Sequence, residues 1–287
     1  MAQKVGIVVD SPADFPEGMV EKHGIHILPV HIFVDGVDHL HGINITNNDV
    51  IEHMKTGSDV YTTPFFPSEC ADFYEELLTR YDKIVSFHLS THLSDNFRSA
   101  KSSLNLLYDN DAERVHIIDL ESVSISQGMI VKKAIDLIKG NCELSALENL
   151  LKPYMKSTRM WFTVDDLAWL KKGGRVSSFS AFVGGMLDIK PIIGLEGAKL
   201  VPMEKHRGKK LAIKRIVEMA EAANKKFRGD CDFCVAYSDN IEEVMITREK
   251  LAERTGRRVE DIDVVQVGAT ISVHTGPGSV ALAMLPN

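Results

Sequence analysis

Short apolar runs and amphipathic stretches alternate from the start of the chain. Val5–Val9 reads as a strand, Glu17–His23 as a helix, and Ile25–Val34 as a second strand ending on Asp35-Gly36, a hairpin turn signal. Further strands are predicted at Lys83–Phe87, Arg114–Ile118, Met160–Thr163, Lys190–Leu195, Lys199–Met203, Phe233–Tyr237, Val264–Val267 and Thr270–His274, most of them separated by helical patterns. The expected class is α/β.

The style of connection changes midway. Up to about Leu151, helical segments such as Glu69–Arg80, Asn96–Leu107 and Gln127–Lys139 separate the strands, as right-handed crossovers on a parallel sheet require. Later, Glu196-Gly197-Ala198 joins two strands by a turn too short for a crossover, so the second sheet contains antiparallel pairs. Two domains are expected, residues 1–155 and 156–287. The join near Lys152-Pro153-Tyr154 lacks linker composition and predicts close packing.

Composition narrows the function classes. Thirty-three Lys and Arg against 40 Asp and Glu give a net charge of −7, which disfavours nonspecific nucleic-acid binding. The apolar runs are far shorter than the ~18 residues of a membrane span, and Met1-Ala2-Gln3-Lys4 runs into too short an apolar stretch for a signal segment. A cytoplasmic location is expected. Cys70, Cys142, Cys231 and Cys234 are too few for a disulfide framework. Cys231 and Cys234 have metal or redox spacing, but they fall within a predicted strand without a second ligand pair, so no metal is expected.

In open parallel sheets ligands bind beyond the carboxyl ends of strands. Those positions are rich in hydroxyl and acidic residues here: Asp10-Ser11-Pro12-Ala13-Asp14, the segment from Ser90 through Ser94 to Asn96, and Asp119-Leu120-Glu121-Ser122. Thr62-Thr63-Pro64 precedes a helix and adds two more hydroxyls. Each such residue is individually explained as a cap or turn former, but their recurrence points to an oxyanion site. Walker A, Gly-x-Gly-x-x-Gly and Gly-x-Ser-x-Gly sequences are all absent.

In the second half, Gly173-Gly174 puts Arg175 on a short connection, where its guanidinium either reaches a carboxylate or caps a helix end. His274 precedes the rigid turn Gly276-Pro277-Gly278. Phe179, Phe182 and Met186 recur at helical spacing and line one face. Phe65-Phe66 follows no periodicity and fits a pocket mouth or an interface. Lys205–Arg228 carries nine Lys or Arg against Glu218 and Glu221, a solvated face or a docking surface for an acidic partner.

Taken together, Asp10-Ser11-x-x-Asp14, Ser90-Thr91-x-Leu93-Ser94, Asp166-Leu167-x-x-Leu170-x-x-Gly173-Gly174-Arg175, Lys190-Pro191, Lys205-x-Arg207 and His274-x-Gly276-Pro277-Gly278 resemble the DegV family along the whole chain. These are fatty-acid-binding proteins, also called the FakB subunits of bacterial fatty acid kinase. The resemblance implies the two-domain fold of the dihydroxyacetone-kinase-like group: an N-terminal three-layer α/β/α domain with a parallel sheet, then a C-terminal two-layer α/β domain with a mixed sheet. It also implies one bound long-chain fatty acid with a buried chain, and no cofactor besides that ligand.

By the same resemblance the carboxylate contacts are Thr63 and Ser94, with Thr62 as an alternative because the Thr62–Pro67 loop carries an extra residue. Arg175 and His274 fall near that site. Phe65, Phe179, Phe182 and Met186 are candidates for the acyl tunnel, and Lys205 and Arg207 for docking a separate ATP-binding kinase subunit that makes an acyl phosphate. A transient membrane contact for ligand exchange is a further implied partner. Asp95 places a carboxylate beside the site, which raises the cost of binding an anion unless it points outward. The rival readings are acyl transfer or hydrolysis by Ser94 and His274, and carriage of another small carboxylate.

Overall fold

The computed structural model describes residues 3–175 and 188–287. The chain opens with β1 (Val5–Asp10), crosses through α1 (Met19–His23) and returns as β2 (Ile25–Leu28), parallel to β1. Pro29 then breaks the apolar run, because it has no N–H to extend a ladder. The Val30 N–H turns instead to the Ser11 hydroxyl at 3.0 Å. The single strand expected over Ile25–Val34 is therefore two, in different sheets.

The second piece, β3 (His31–Val34), forms a hairpin with β4 (Val37–Leu40) through Asp35-Gly36, both at positive φ as the tight turn requires. After α2 (Asn47–Thr56), opened by a Thr46/Asp49 capping box, β5 (Val60–Thr63) pairs with the other edge of β3. Ile32, Val34 and Val60 face Val50 and Met54 of α2 on the inner side of this three-stranded antiparallel sheet.

The parallel sheet is completed by α3 (Pro67–Leu78), β6 (Lys83–His88), α4 (Asn96–Ser103), the short α5 (Asp109–Ala112) and β7 (Val115–Asp119). Its order is β2-β1-β6-β7. Alternate residues face opposite sides, as the strand period dictates. Val8, Ile84 and Ile117 pack on Tyr74 and Leu77 of α3, and Val9, Val85 and Ile118 pack on α6 (Ser124–Lys139) and α7 (Leu144–Ser157). This is the expected three-layer arrangement.

The second sheet follows: β8 (Arg159–Thr163), α8 (Leu167–Lys172), β9 (Ile189–Glu196), β10 (Lys199–Arg207), α9 (Lys209–Lys226), β11 (Cys231–Tyr237), α10 (Ile241–Thr255), β12 (Ile262–Gln266), α11 (Ala269–Thr275) and β13 (Val280–Pro286). Its order is β10-β9-β8-β13-β11-β12, mixed, with β11 and β12 the parallel pair. Ile216, Val217, Val244 and Leu251 of α9 and α10 cover one face. Phe162, Ile193 and Ala283 on the other face rest on Leu89, Val123 and Ile125 of the N-terminal half, so the sheet's second cover comes from the parallel-sheet domain.

One further predicted element changes, and one strand was not predicted. Thr270–His274 is helical rather than extended: Ala269 and Val273, one turn apart, are buried against Ile32, Val50 and Met54, and this packing overrides the strand preference of Thr270, Ile271 and Val273. Val280–Pro286, which is not among the predicted strands, is a central strand. Cys231 and Cys234 do lie in a strand, and three residues apart they point to opposite faces, into different cores. Among the described residues, no helix is long and apolar enough to cross a membrane.

Candidate functional site

The order β2-β1-β6-β7 reverses direction between β1 and β6, and a crevice opens beyond their carboxyl ends. Two loops leave there, Asp10-Ser11-Pro12 and the segment from Leu89 to Asn96. The end of β5 approaches with Thr62 and Thr63, α11 with Thr270, Ile271 and His274, and the end of α8 with Leu170 and Arg175. Together with Met160, Phe162 and Ala281 of the mixed sheet they line one cavity, mainly apolar, with polar side chains contributed by the hydroxyl loops, α6, α11 and Arg175. Thr62, Thr63, Ser94, Arg175 and His274, separated by as many as 212 residues, all line it.

His274 Nε2 lies 2.9 Å from the Thr62 hydroxyl. Burial, and secondarily the Arg175 charge, push the imidazole pKa down to about 3, so the ring is neutral. Among the described residues its Nδ1 has no hydrogen-bond partner, and it rests against Gly173, where an added Cβ would collide with it. Gly173 is thus required by a close approach, and Gly174 by its φ of 73°. Thr62, taken as the alternative to Thr63 in the sequence, is the residue that the structure couples to His274.

Arg175 donates through Nε to the Leu93 carbonyl at 3.1 Å and through Nη1 to the Gly173 carbonyl at the end of α8. The helix-end reading of Arg175 describes these contacts, and they clasp the Ser94 loop to the His274 region. Burial lowers the guanidinium pKa, with Asp95 acting the other way. Asp95 itself is 63% exposed and paired with Arg98, so its carboxylate points outward.

Ser94 donates its hydroxyl to Asn96 Oδ1 at 3.0 Å, while Asn96 donates through Nδ2 to Asp10 at 3.0 Å. Asp10 also accepts from Gln127 and from the Leu89 N–H. Asp10 and Asn96 fall in the strand-end segments that the sequence marks, whereas Gln127 reads there only as the start of a helix and its link to Asp10 is missed. Ser94 and His274 line the same cavity but share no hydrogen bond, so a nucleophile–base pair is not formed.

A second polar cluster anchors α11. The Gly268 N–H and the Ser124 hydroxyl donate to Asp14 at 2.7 and 2.5 Å, and burial pushes its carboxyl pKa up to about 7. His41 accepts the Ala269 N–H at Nε2, which leaves Nδ1–H to face the Thr270 hydroxyl at 2.8 Å. Burial lowers its pKa to about 4.

The remaining candidates lie elsewhere. Phe65, proposed for the acyl tunnel, is 1% exposed in the core between the parallel sheet and α3, against the His88 ring. Its non-periodic position reflects the turn between β5 and α3 that drives it inward. Phe66 is exposed beside His31. Phe179, Phe182 and Met186 lie outside the described residues. Lys205 and Arg207 are exposed, two residues apart on one face of β10, at the edge of the mixed sheet.

Fold and site together define a three-sheet α/β protein with a mainly apolar cavity onto which hydroxyls from several elements converge. Residues 4–287 match the DegV family, described as "Uncharacterised protein, DegV family", and the chain belongs to it. It is 32% identical to Protein DegV of Bacillus subtilis over 285 residues, covering 97% of this chain and 98% of that one. The crystal structure of DegV from Bacillus subtilis, described as a fatty acid binding protein, superposes with a TM-score of 0.85 at 29% identity over the whole of both chains. A DegV family protein from Thermus thermophilus, described by its fatty acid binding, gives 0.90 at 26% identity over 99% of this chain and 100% of that one.

Proposed function

We propose that this protein binds one long-chain fatty acid, buries its chain in the cavity between the two sheets, and presents the head group to a separate ATP-dependent kinase subunit for conversion to an acyl phosphate. The observation that carries the reading is the convergence of Thr62, Thr63, Ser94 and His274 on one mainly apolar cavity. Burial of some fifteen methylenes at about 0.8 kcal/mol each contributes roughly 12 kcal/mol before ordering costs, so tight retention needs little from the head group. A polar head group removed from water still needs hydrogen-bond partners, and the hydroxyls supply them.

The chain acts as a carrier and supplies no chemistry of its own: Ser94 is bonded to Asn96 rather than to His274. Lys205 and Arg207, exposed on β10, form the docking surface for the kinase, and a brief membrane contact serves ligand exchange. Mass spectrometry of organic extracts from the purified, denatured protein tests the cargo, with a near-stoichiometric fatty acid expected. An empty extract together with failure to bind added labelled acid rejects the reading. Ester turnover abolished by Ser94→Ala would make the protein an enzyme. Arg207→Glu should keep acid binding and impair the kinase reaction.

A further inference from the structure

Behind Ser94 lies a polar chain closed to solvent. Asp10, Asn96 and Gln127 are each completely buried. Asp10 Oδ1 accepts from Gln127 Nε2 at 2.7 Å, and Oδ2 accepts from the Leu89 backbone N–H at 3.1 Å and from Asn96 Nδ2 at 3.0 Å. Facing these N–H donors, the carboxylate serves as acceptor throughout. The Asn96 amide then has a single orientation, with its NH2 toward Asp10 and its Oδ1 toward Ser94.

Ser94 Oγ meets that amide oxygen at 3.0 Å and can do so only by donating its one proton. The Asn96 backbone N–H occupies one lone pair of the same hydroxyl at 3.3 Å. What Ser94 offers the cavity is its other lone pair. An ionised carboxylate has no hydrogen to give to a lone pair, whereas a carboxylic acid has one.

We propose that Asp10, acting through Asn96, sets Ser94 to accept, so that the cavity holds the fatty acid as the neutral carboxylic acid, its O–H donated to Ser94 and its carbonyl oxygen accepting from the Thr62 hydroxyl. This rests on the fatty-acid reading of the site. Asp10 is a positioning residue, since the cavity wall is formed by Ser94 and Asn96 and not by Asp10 itself. His274 supports the arrangement from the far side: its ring faces the Thr62 oxygen, which frees the Thr62 proton for the ligand when Nε2 carries the hydrogen.

Other ionisable groups surround this chain. His88 of β6 faces Asp10 at 3.4 Å and continues through Ser86 to Tyr74 of α3, with Cys70 on the same helix beyond it. His274 of α11 and Arg175 face the head-group end, and Asp14 stands behind Ser124 of α6. Arg175, the one cation among the described lining residues, opposes the neutral form. Two of its donors are already committed to the Leu93 and Gly173 carbonyls.

The test is the carboxyl resonance of a 13C-carboxyl-labelled long-chain fatty acid bound to the full chain, followed from pH 4 to pH 9. In the wild type the midpoint should lie above the usual carboxyl range by about one unit or more. Asn96→Ala and Asp10→Ala both release the Ser94 proton toward the ligand, and each should lower the midpoint by about one unit. If Asp10→Ala does not fold, Asn96→Ala carries the test alone. A wild-type midpoint in the usual range, or one that neither variant moves, overturns the assignment while leaving fatty-acid binding intact. Failure of the labelled acid to bind the wild type overturns both.

Discussion

The imidazole of His274 and the hydroxyl of Thr62 meet at 2.9 Å, 212 residues apart in sequence, and join the mixed-sheet half to the small antiparallel sheet at the head of the cavity. Thr62→Val removes both this contact and a donor for the ligand. Fatty-acid affinity should fall by about 1–3 kcal/mol, measured by calorimetry, and by more than in Thr63→Val. Equal losses in the two variants would put Thr63 back as the principal contact.

With its pKa near 3, His274 should stay neutral over the physiological range. Its ring resonances should not titrate between about pH 5 and pH 8, where an unperturbed histidine would. A midpoint near the ordinary value would show the ring to be hydrated.

Gly173 and Gly174 make a paired test. Gly173 has φ −67°, open to any residue, but its Cβ would strike His274. Gly173→Ala should therefore lower fatty-acid affinity about tenfold or more through the displaced ring. Gly174 has φ 73° and open space around it, so Gly174→Ala should cost about 1–2 kcal/mol of stability and leave affinity largely unchanged. Chemical denaturation and calorimetry separate the two effects.

Stability should depend on pH through Asp14, His41 and His274, in opposite senses. Asp14 has its folded pKa raised to about 7 from 3.8, so its contribution is fully present below about 3.8 and is lost as pH rises through 7. The histidines are depressed, to about 4 and about 3, so their contributions are present above about 6.5 and are lost as pH falls toward those values. Asp14→Asn removes the first effect alone. The melting temperature of this variant, relative to wild type, should climb as pH is raised from 4 to 7, and a pH-independent difference would reject the assignment.

The apolar part of the cavity can be shortened from β13. Ala281 lines it opposite its cross-strand partner Phe162. Ala281→Phe should reduce affinity for long acids by tenfold or more while sparing short ones, because the aromatic ring occupies space that only the distal methylenes need. Equal losses at all chain lengths would place the chain along a different path.

Much of this was legible in the sequence because its signals are local. Alternation of apolar residues and connection length gave the α/β class, the parallel first sheet and the hairpin in the second, since both reflect the periods of strand and helix and the reach of the chain. A hydroxyl-rich segment after a strand end marked Ser94, and hydroxyls before a helix marked Thr62 and Thr63, while the family resemblance singled these three out as head-group contacts. What depended on distant contacts was not legible. Thr270–His274 has the residues of a strand and becomes a helix because Ala269 and Val273 bury against α2. Phe65 looks like a pocket residue and is core. Thr62 is distinguished from Thr63 by His274, and Ser94 is turned toward Asn96 by Asp10. The hydrogen-bond direction at each of these hydroxyls depends on which buried acceptor lies behind it, and only the packing of the two sheets brings those partners together.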